Sequence, residues 1–193
     1  MDGARLVVGL GNPGPEYRGH RHNLGFVVVD RLAAAVGIAL GQSKFHGRFG
    51  QGDVGKTRLL LLEPETYMNA SGEAVSAAVR FYKVAPGDLL VVHDELDLSF
   101  GRLQLKRGGG SGGHNGLESV VEQLGTSDFA RLRFGIGKPQ GPNAKERVVG
   151  HVLHDFSSEE KAGLEPLLER ATDMARAWVS LGLAEAMNRH NRR

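Results

Sequence analysis

The chain has 193 residues, enough for one domain with a substantial core, and no Pro- or Ser-rich linker divides it. It contains no cysteine, which excludes a disulfide framework, a thiolate nucleophile and a cysteine-ligated metal. The formal net charge of +2 does not by itself indicate a nucleic-acid-binding protein. Neither a signal peptide nor a long apolar run is recognisable, so we expect a cytoplasmic protein.

The first motif along the chain is GLGNPG, residues 9–14, which matches the pattern G-x-G-x-x-G of dinucleotide-binding loops. A buried strand is predicted from Arg5 to Val8, and Asp30 follows at the distance where such sites carry a ribose-binding acid. The next segment, PEYRGHRHNLGF, has too many glycines and too few apolar side chains for the crossover helix that a nicotinamide-binding unit requires. A catalytic loop is the better interpretation, and an oxidoreductase stays open as an alternative.

Apolar runs and helical spacing predict the other elements. Strands are predicted over residues 57–62, 88–93, 101–106 and 131–137. Helices are predicted over residues 69–83, over 116–125, over 156–182 with a capping box of Ser157 and Glu160, and from near Asn23 to Gly37. This order predicts one α/β domain, residues 1–193, with a twisted mixed β-sheet flanked by helices on both faces and a short basic tail at about 188–193.

Polar or ionisable residues follow the predicted strands or occupy glycine-rich turns in five segments. These segments are GNPG (11–14), RGHRHNLG (18–25), PETYMNASG (64–72), VVHDELD (91–97) and GGGSGGHNG (108–116). Because ligands in open α/β sheets bind outside the carboxyl ends of the strands, we expect the five segments to converge in one cleft.

His22 is the first candidate for catalysis. A histidine accepts a proton from water near neutral pH when a carboxylate orients its ring, and Asp94 or Glu95 could supply that carboxylate. A loop histidine with only a structural hydrogen bond is the alternative. Metal chemistry ranks below water activation, because the histidines lack the H-x-x-x-H spacing that makes a zinc site specific.

The glycine-rich segment 108–116 lacks the G-K-[ST] ending of a phosphate-binding loop, so nucleoside triphosphate hydrolysis is not expected. A helix is predicted to begin at about His114, where His114, Asn115 and backbone amides could stabilise developing negative charge. Asn115 could instead merely cap that helix, and Asn69 could cap the helix that follows it.

Several blocks together resemble the bacterial-type peptidyl-tRNA hydrolase family in order and spacing. They are VVGLGNPGPEYRGHRHNLGF, PETYMNASG, VVHDELDLSFGRLQLKRGGGSGGHNGL and RLRFGIGKP, and the similarity extends from about residue 4 to about residue 156. The resemblance implies a monomeric α/β enzyme that hydrolyses the ester between a peptide and the 3′ end of tRNA, without metal or cofactor. An RNA-binding protein on the same scaffold without hydrolysis is the alternative.

The resemblance also implies roles for individual residues. It assigns the catalytic base to His22 and its carboxylate partner to Asp94. Substrate or tRNA contacts are implied for Asn12, Tyr17, Tyr67, Asn69, Lys106, His114, Asn115 and Arg133. Among these, Asn115 would hold water and the carbonyl, Tyr67 the terminal nucleotide or aminoacyl part, and Lys106 and Arg133 the tRNA phosphates. The chain departs from the family pattern at two histidines, His20 and His154.

Overall fold

Seven strands form one sheet in the computed structural model, which describes residues 3–191. The strands are β1 (Arg5–Gly9), β2 (Gln42–Lys44), β3 (Gly47–Val54), β4 (Thr57–Pro64), β5 (Leu89–Glu95), β6 (Leu103–Arg107) and β7 (Ala130–Gly135). Their order across the sheet is β2-β3-β4-β1-β5-β7-β6. The four central strands β4, β1, β5 and β7 are parallel, and β2, β3 and β6 pair antiparallel at the two edges. The predicted mixed sheet is confirmed.

Helices cover both faces of this sheet. They are α1 (Leu24–Val36), α2 (Ser71–Tyr82), α3 (Asn115–Leu124), α4 (Val148–Val152), α5 (Ser158–Leu181) and α6 (Leu183–His190). Alternate residues of a strand point to opposite faces, so Val7 packs in the core beneath α1 and α5 and Val8 in the core beneath α2 and α3. None of the described helices is both long and apolar enough to span a lipid bilayer.

The strands and helices predicted from the sequence are all present, including the capping box of Ser157 and Glu160 and the left-handed Gly37 that ends α1. The hairpin of β2 and β3, helix α4 and helix α6 were not predicted. Residues 188–190 belong to α6 rather than to a tail. The side chain of Asn191 follows and hydrogen-bonds both the backbone N–H and the carbonyl of Leu105 in β6. The last two residues of the predicted tail, Arg192 and Arg193, lie outside the described residues.

The glycines of GLGNPG allow a close approach between β1 and α1. A Cβ atom on Gly9 would lie 2.2 Å from the carbonyl oxygen of Gly25, and a Cβ atom on Gly25 would lie 2.5 Å from the carbonyl oxygen of Val92 in β5. Two short 3₁₀ turns, Pro15–Tyr17 and Arg21–Asn23, separate β1 from α1. Asp30 lies within α1 and not at the end of a second strand, so the dinucleotide-binding alternative is wrong.

Candidate active site

Hydrogen bonds join the five segments that the sequence predicts to converge. The side-chain oxygen of Asn12 accepts from the backbone N–H of Met68 at 2.8 Å, which links the first segment to the segment 64–72. Nδ1 of His22 and Nε2 of His114 each lie 2.8 Å from a carboxylate oxygen of Asp94. These two hydrogen bonds link the segments 18–25 and 108–116 to the end of β5. The carboxyl ends of the parallel strands β1, β4 and β5 therefore carry one site.

His22 lies on the 3₁₀ turn that precedes α1, and its side chain is almost entirely buried. Its Nδ1 is 2.8 Å from Oδ2 and 3.0 Å from Oδ1 of Asp94. An ionised carboxylate only accepts hydrogen bonds, so Nδ1 carries the proton and Nε2 carries the free lone pair. No described residue hydrogen-bonds Nε2, which leaves the basic nitrogen of His22 available.

His114 supports the same carboxylate from the other side. Its Nδ1 accepts the backbone N–H groups of Gly116 at 3.1 Å and Leu117 at 3.3 Å, so Nε2 carries the proton and donates to Oδ1 of Asp94 at 2.8 Å. The residue that caps α3 is His114, and the alternative that Asn115 caps this helix is wrong. Both backbone amides are occupied by the cap and are not free to bind an oxyanion.

The two imidazoles determine the charge of Asp94. Burial alone would raise its pKa, but His22 and His114 hold the pKa of this carboxyl well below its usual range. The neighbouring His93 donates from Nδ1 to the backbone carbonyl of Asp94 at 2.9 Å, and burial together with His114 lowers the pKa of His93 to about 3. Asp94 is therefore a carboxylate beside a neutral His93 at neutral pH.

His22, Asp94 and His114 also have the spacing of a metal site, since one ligand atom of each lies within 4.8 Å of the others. A metal-ligating histidine normally donates the N–H of its second nitrogen to an outer partner. In His114 the second nitrogen accepts two backbone N–H groups instead, so a metal at Nε2 would require an imidazolate or loss of the helix cap. The donor set fits a hydrogen-bonded network better than a metal.

Asn12 is held by a residue that the sequence analysis missed. Asn23 accepts from the backbone N–H of Asn12 and donates to its carbonyl, each at 2.9 Å. The side-chain oxygen of Asn12 accepts from Met68, and its Nδ2 group is the donor that remains to meet a substrate. The signal available in the sequence was the adjacency of Asn23 to His22.

Four more residues that were predicted to contact the substrate lie on turns or at a helix start: Asn69, Asn115, Tyr17 and Tyr67. Asn69 and Asn115 are exposed, and the turn that carries Asn69 contacts α3, which begins at Asn115. Tyr17 and Tyr67 meet edge to face with ring centroids 6.3 Å apart. Tyr67 is 54% exposed and has a positive φ of 64°, a strained backbone for a non-glycine residue.

The predicted basic residues adjoin the carboxylate network through His93. Lys106, Arg131 and Arg133 line a cavity of about 250 Å³ together with His93 and Glu95. Arg133 hydrogen-bonds Glu95 at 2.9 Å and also contacts Gln104. Arg131, which is buried, donates to the carbonyl oxygens of Gly110 at 2.7 Å and Ser127 at 3.1 Å.

The two departures from the family pattern lie together at the edge of the site. His20 forms an isolated β-bridge with Asp155, with Nε2 4.0 Å from the carboxylate. His154 contacts the turn Arg21–Asn23 through its carbonyl, which accepts the backbone N–H of Arg21 at 3.0 Å, while its side chain is exposed. A backbone contact of this kind does not depend on the side chain at position 154.

Known proteins resemble this chain in sequence and in fold. The peptidyl-tRNA hydrolase family model matches residues 6–193. A peptidyl-tRNA hydrolase of Geobacter sulfurreducens is 48% identical over 187 residues, which cover 97% of this chain and 95% of the relative. A peptidyl-tRNA hydrolase of Geotalea daltonii is 46% identical over 187 residues, which cover 97% of this chain and 96% of that relative. The crystal structure of peptidyl-tRNA hydrolase from Acinetobacter baumannii matches with a TM-score of 0.90 at 44% identity, over 99% of this chain and 96% of that one. The chain therefore belongs to the peptidyl-tRNA hydrolase family.

Proposed function

We propose that this protein hydrolyses the ester bond between the peptide and the 3′ end of peptidyl-tRNA, with His22 as the general base. The observation that carries the mechanism is the buried pair of His22 Nδ1 and Asp94 Oδ2, 2.8 Å apart. A carboxylate in this position fixes the tautomer that leaves Nε2 basic, and it stabilises the imidazolium that forms when Nε2 takes a proton. The family membership supports the substrate.

In the proposed reaction, Nε2 of His22 removes a proton from a water molecule as the water attacks the ester carbonyl carbon. The C–O bond to the ribose breaks as the tetrahedral intermediate collapses, and the proton on His22 passes to the departing 3′ oxygen. Asp94 remains ionised throughout, because the N–H groups of His22 and His114 both point at it.

Asparagine side chains supply the donors to the substrate in this proposal. Asn115 donates to the developing oxyanion and holds the attacking water, since the backbone amides behind it are occupied by His114. Asn69 and the Nδ2 group of Asn12 orient the peptide carbonyl and the ester. We extend the proposal to a monomeric enzyme that acts without a cofactor, as the family resemblance implies.

We assign the tRNA to the side of the site that carries β6 and β7. Lys106 is exposed and lines the same cavity as Arg133, which supports a phosphate contact for both side chains. Tyr17 and Tyr67 offer aromatic surface to the terminal nucleotide or the aminoacyl part. The cytoplasm, where translation produces the substrate, is the compartment that fits this activity.

The test is a comparison of two substrates with the purified protein. We expect release of tRNA from an N-acetylated aminoacyl-tRNA and little release from the free aminoacyl-tRNA, measured by acid-precipitable radioactivity. Binding of both without hydrolysis of either would contradict the esterase and favour the RNA-binding alternative. Incubation with a chelator in parallel tests the metal-free mechanism, since activity should be retained.

A further inference from the structure

The residue that precedes the catalytic histidine makes an unusual set of contacts. Arg21 is 8% exposed, although a lone arginine is rarely buried to this extent. One terminal nitrogen of its guanidinium donates to Glu160 at 2.7 Å, and the other donates to the carbonyl oxygens of His151 at 3.1 Å and His154 at 3.4 Å. These contacts reach α4, the start of α5 and the link between them.

The backbone of the turn is held by the same region. The N–H of Arg21 donates to the carbonyl of His154 at 3.0 Å, and His20 bridges to Asp155. At the other end of the turn, Asn23 exchanges two hydrogen bonds with the backbone of Asn12. The turn Arg21–Asn23 is therefore fixed at both ends, and His22 lies between the two anchors.

Glu160 connects this anchor to a helix. Its Oε1 accepts both from Arg21 and from the backbone N–H of Ser157 at 3.0 Å, as part of the capping box that begins α5. Burial would raise the pKa of Glu160, but Ser157 and Arg21 together hold it below its usual value, so the carboxylate is ionised at neutral pH. The ring of Phe156 lies 5.4 Å from the guanidinium carbon.

The position of Nε2 in His22 depends on this anchor. The hydrogen bond from Nδ1 to Asp94 fixes the position of one ring atom of His22. The backbone of the turn determines the orientation of the rest of the ring, and so the position of Nε2. We propose that Arg21, together with Glu160, is a positioning residue that aims Nε2 of His22 at the substrate. The inference rests on the proposed function, and it adds the segment from α4 to the start of α5 to the catalytic apparatus.

Kinetics of three variants test the proposal. A displacement of about 1 Å at a catalytic group can lower a rate by about 10²-fold, so we expect Arg21→Gln to lower kcat by roughly 10- to 10²-fold while KM changes by less than about twofold. Glu160→Gln keeps an oxygen for the capping box and removes the ion pair, so it should fold and lower kcat by a smaller factor. Arg21→Lys keeps the charge but cannot reach Glu160 and both carbonyls at once, so it should restore kcat only in part.

A matched control is available on α1, the helix that follows the turn Arg21–Asn23. Arg31 of α1 forms two hydrogen bonds of 2.6 Å to Glu165 of α5, so this pair ties α1 to α5 as Arg21 and Glu160 tie the preceding turn to α5. The Arg31 pair is exposed, and within residues 3–191 it makes no hydrogen bond to the turn Arg21–Asn23. Arg31→Gln should leave kcat within about twofold of the unmodified protein, because exposed ion pairs contribute little.

A readout independent of turnover separates positioning from simple destabilisation. The Nδ1 proton of His22 should give a downfield proton NMR signal while it bonds Asp94, and in folded Arg21→Gln this signal should shift or broaden, whereas in Arg31→Gln it should not. The proposal is overturned if folded Arg21→Gln keeps both kcat and this signal, or if kcat falls only in proportion to the unfolded fraction measured by circular dichroism. Failure of the unmodified protein to hydrolyse the N-acetylated substrate would instead count against the proposed function, and the NMR comparison would still test the positioning.

Discussion

The ring of His114 connects the N-terminus of α3 to the buried carboxylate of Asp94. Nδ1 of His114 caps α3 through the backbone N–H of Gly116, and Nε2 donates to Asp94 at 2.8 Å. The cap fixes the tautomer of the ring, and the tautomer makes Nε2 a donor. The start of α3 therefore takes part in holding Asp94 ionised and pointing at His22.

Substitution of His114 should separate its two contacts. His114→Ala loses the cap, which costs about 1 kcal/mol of stability, and it also loses the hydrogen bond to Asp94. His114→Asn retains a side chain that caps helices well but is too short to reach Asp94, so stability should be largely restored while kcat stays low. Urea unfolding and turnover of an N-acetylated aminoacyl-tRNA measure the two effects. Full activity in His114→Asn would show that Asp94 does not need this support.

A buried acid at the end of β4 should make stability depend on pH. Burial first, and then the neighbouring Asp30, raise the pKa of Glu63 to about 9, although Arg48 lies 3.2 Å away. The unfolded value is about 4.3, so the protonated form contributes stability that is complete below about pH 4 and is lost as the pH rises towards 9. Glu63→Gln resembles the protonated acid, so this variant should be more stable than the unmodified protein at pH 8 and lose that advantage as the pH falls to 5. Urea midpoints measured across this range test the prediction, and a difference independent of pH would contradict it.

The salt dependence of tRNA binding should show whether tRNA phosphates contact the cavity that Lys106 and Arg133 line. Each phosphate contact removed flattens the slope of log affinity against log salt by roughly one unit. We expect this for Lys106→Ala and for Arg133→Ala, because both side chains line the cavity. Arg107 is the control, since it follows Lys106 in β6 but is not among the residues that line the cavity, and it pairs with Asp128 at 2.8 Å. Unchanged slopes in both variants, or an equal change in Arg107→Ala, would place the RNA elsewhere.

The fold was largely predictable because its central elements are regular. Buried strands such as β4 contain continuous apolar runs, here residues 59–62, and helices such as α5 carry both periodicity and a capping signal. Strand β3 was missed because three glycines and an exposed Arg48 interrupt any alternation. Helix α6 was missed because eight residues give little more than two turns of pattern.

The site was predictable at the level of residue type and loop placement, but its bonding was not. Five polar loops at strand ends indicated one cleft, and His22 with a carboxylate at the end of β5 was the expected pair. The support given by His114, Asn23 and Arg21 depends on contacts between segments up to 139 residues apart, as between Arg21 and Glu160. Such contacts follow from the topology of the sheet, and local sequence does not encode them.

The decisive prediction concerns His20 and His22, the two histidines on either side of Arg21. His22→Ala should lower kcat by about 10² to 10⁴, the usual contribution of a general base, and should spare the binding of uncharged tRNA. His20→Ala is the matched control, because its Nε2 lies 4.0 Å from an Asp155 carboxylate whose side chain is 61% exposed, while His22 meets the buried Asp94. It should keep near-normal turnover of an N-acetylated aminoacyl-tRNA, measured beside tRNA binding by fluorescence anisotropy. The opposite result, with His20→Ala inactive and His22→Ala active, would mean that the base is the other imidazole and that the pair with Asp94 is structural.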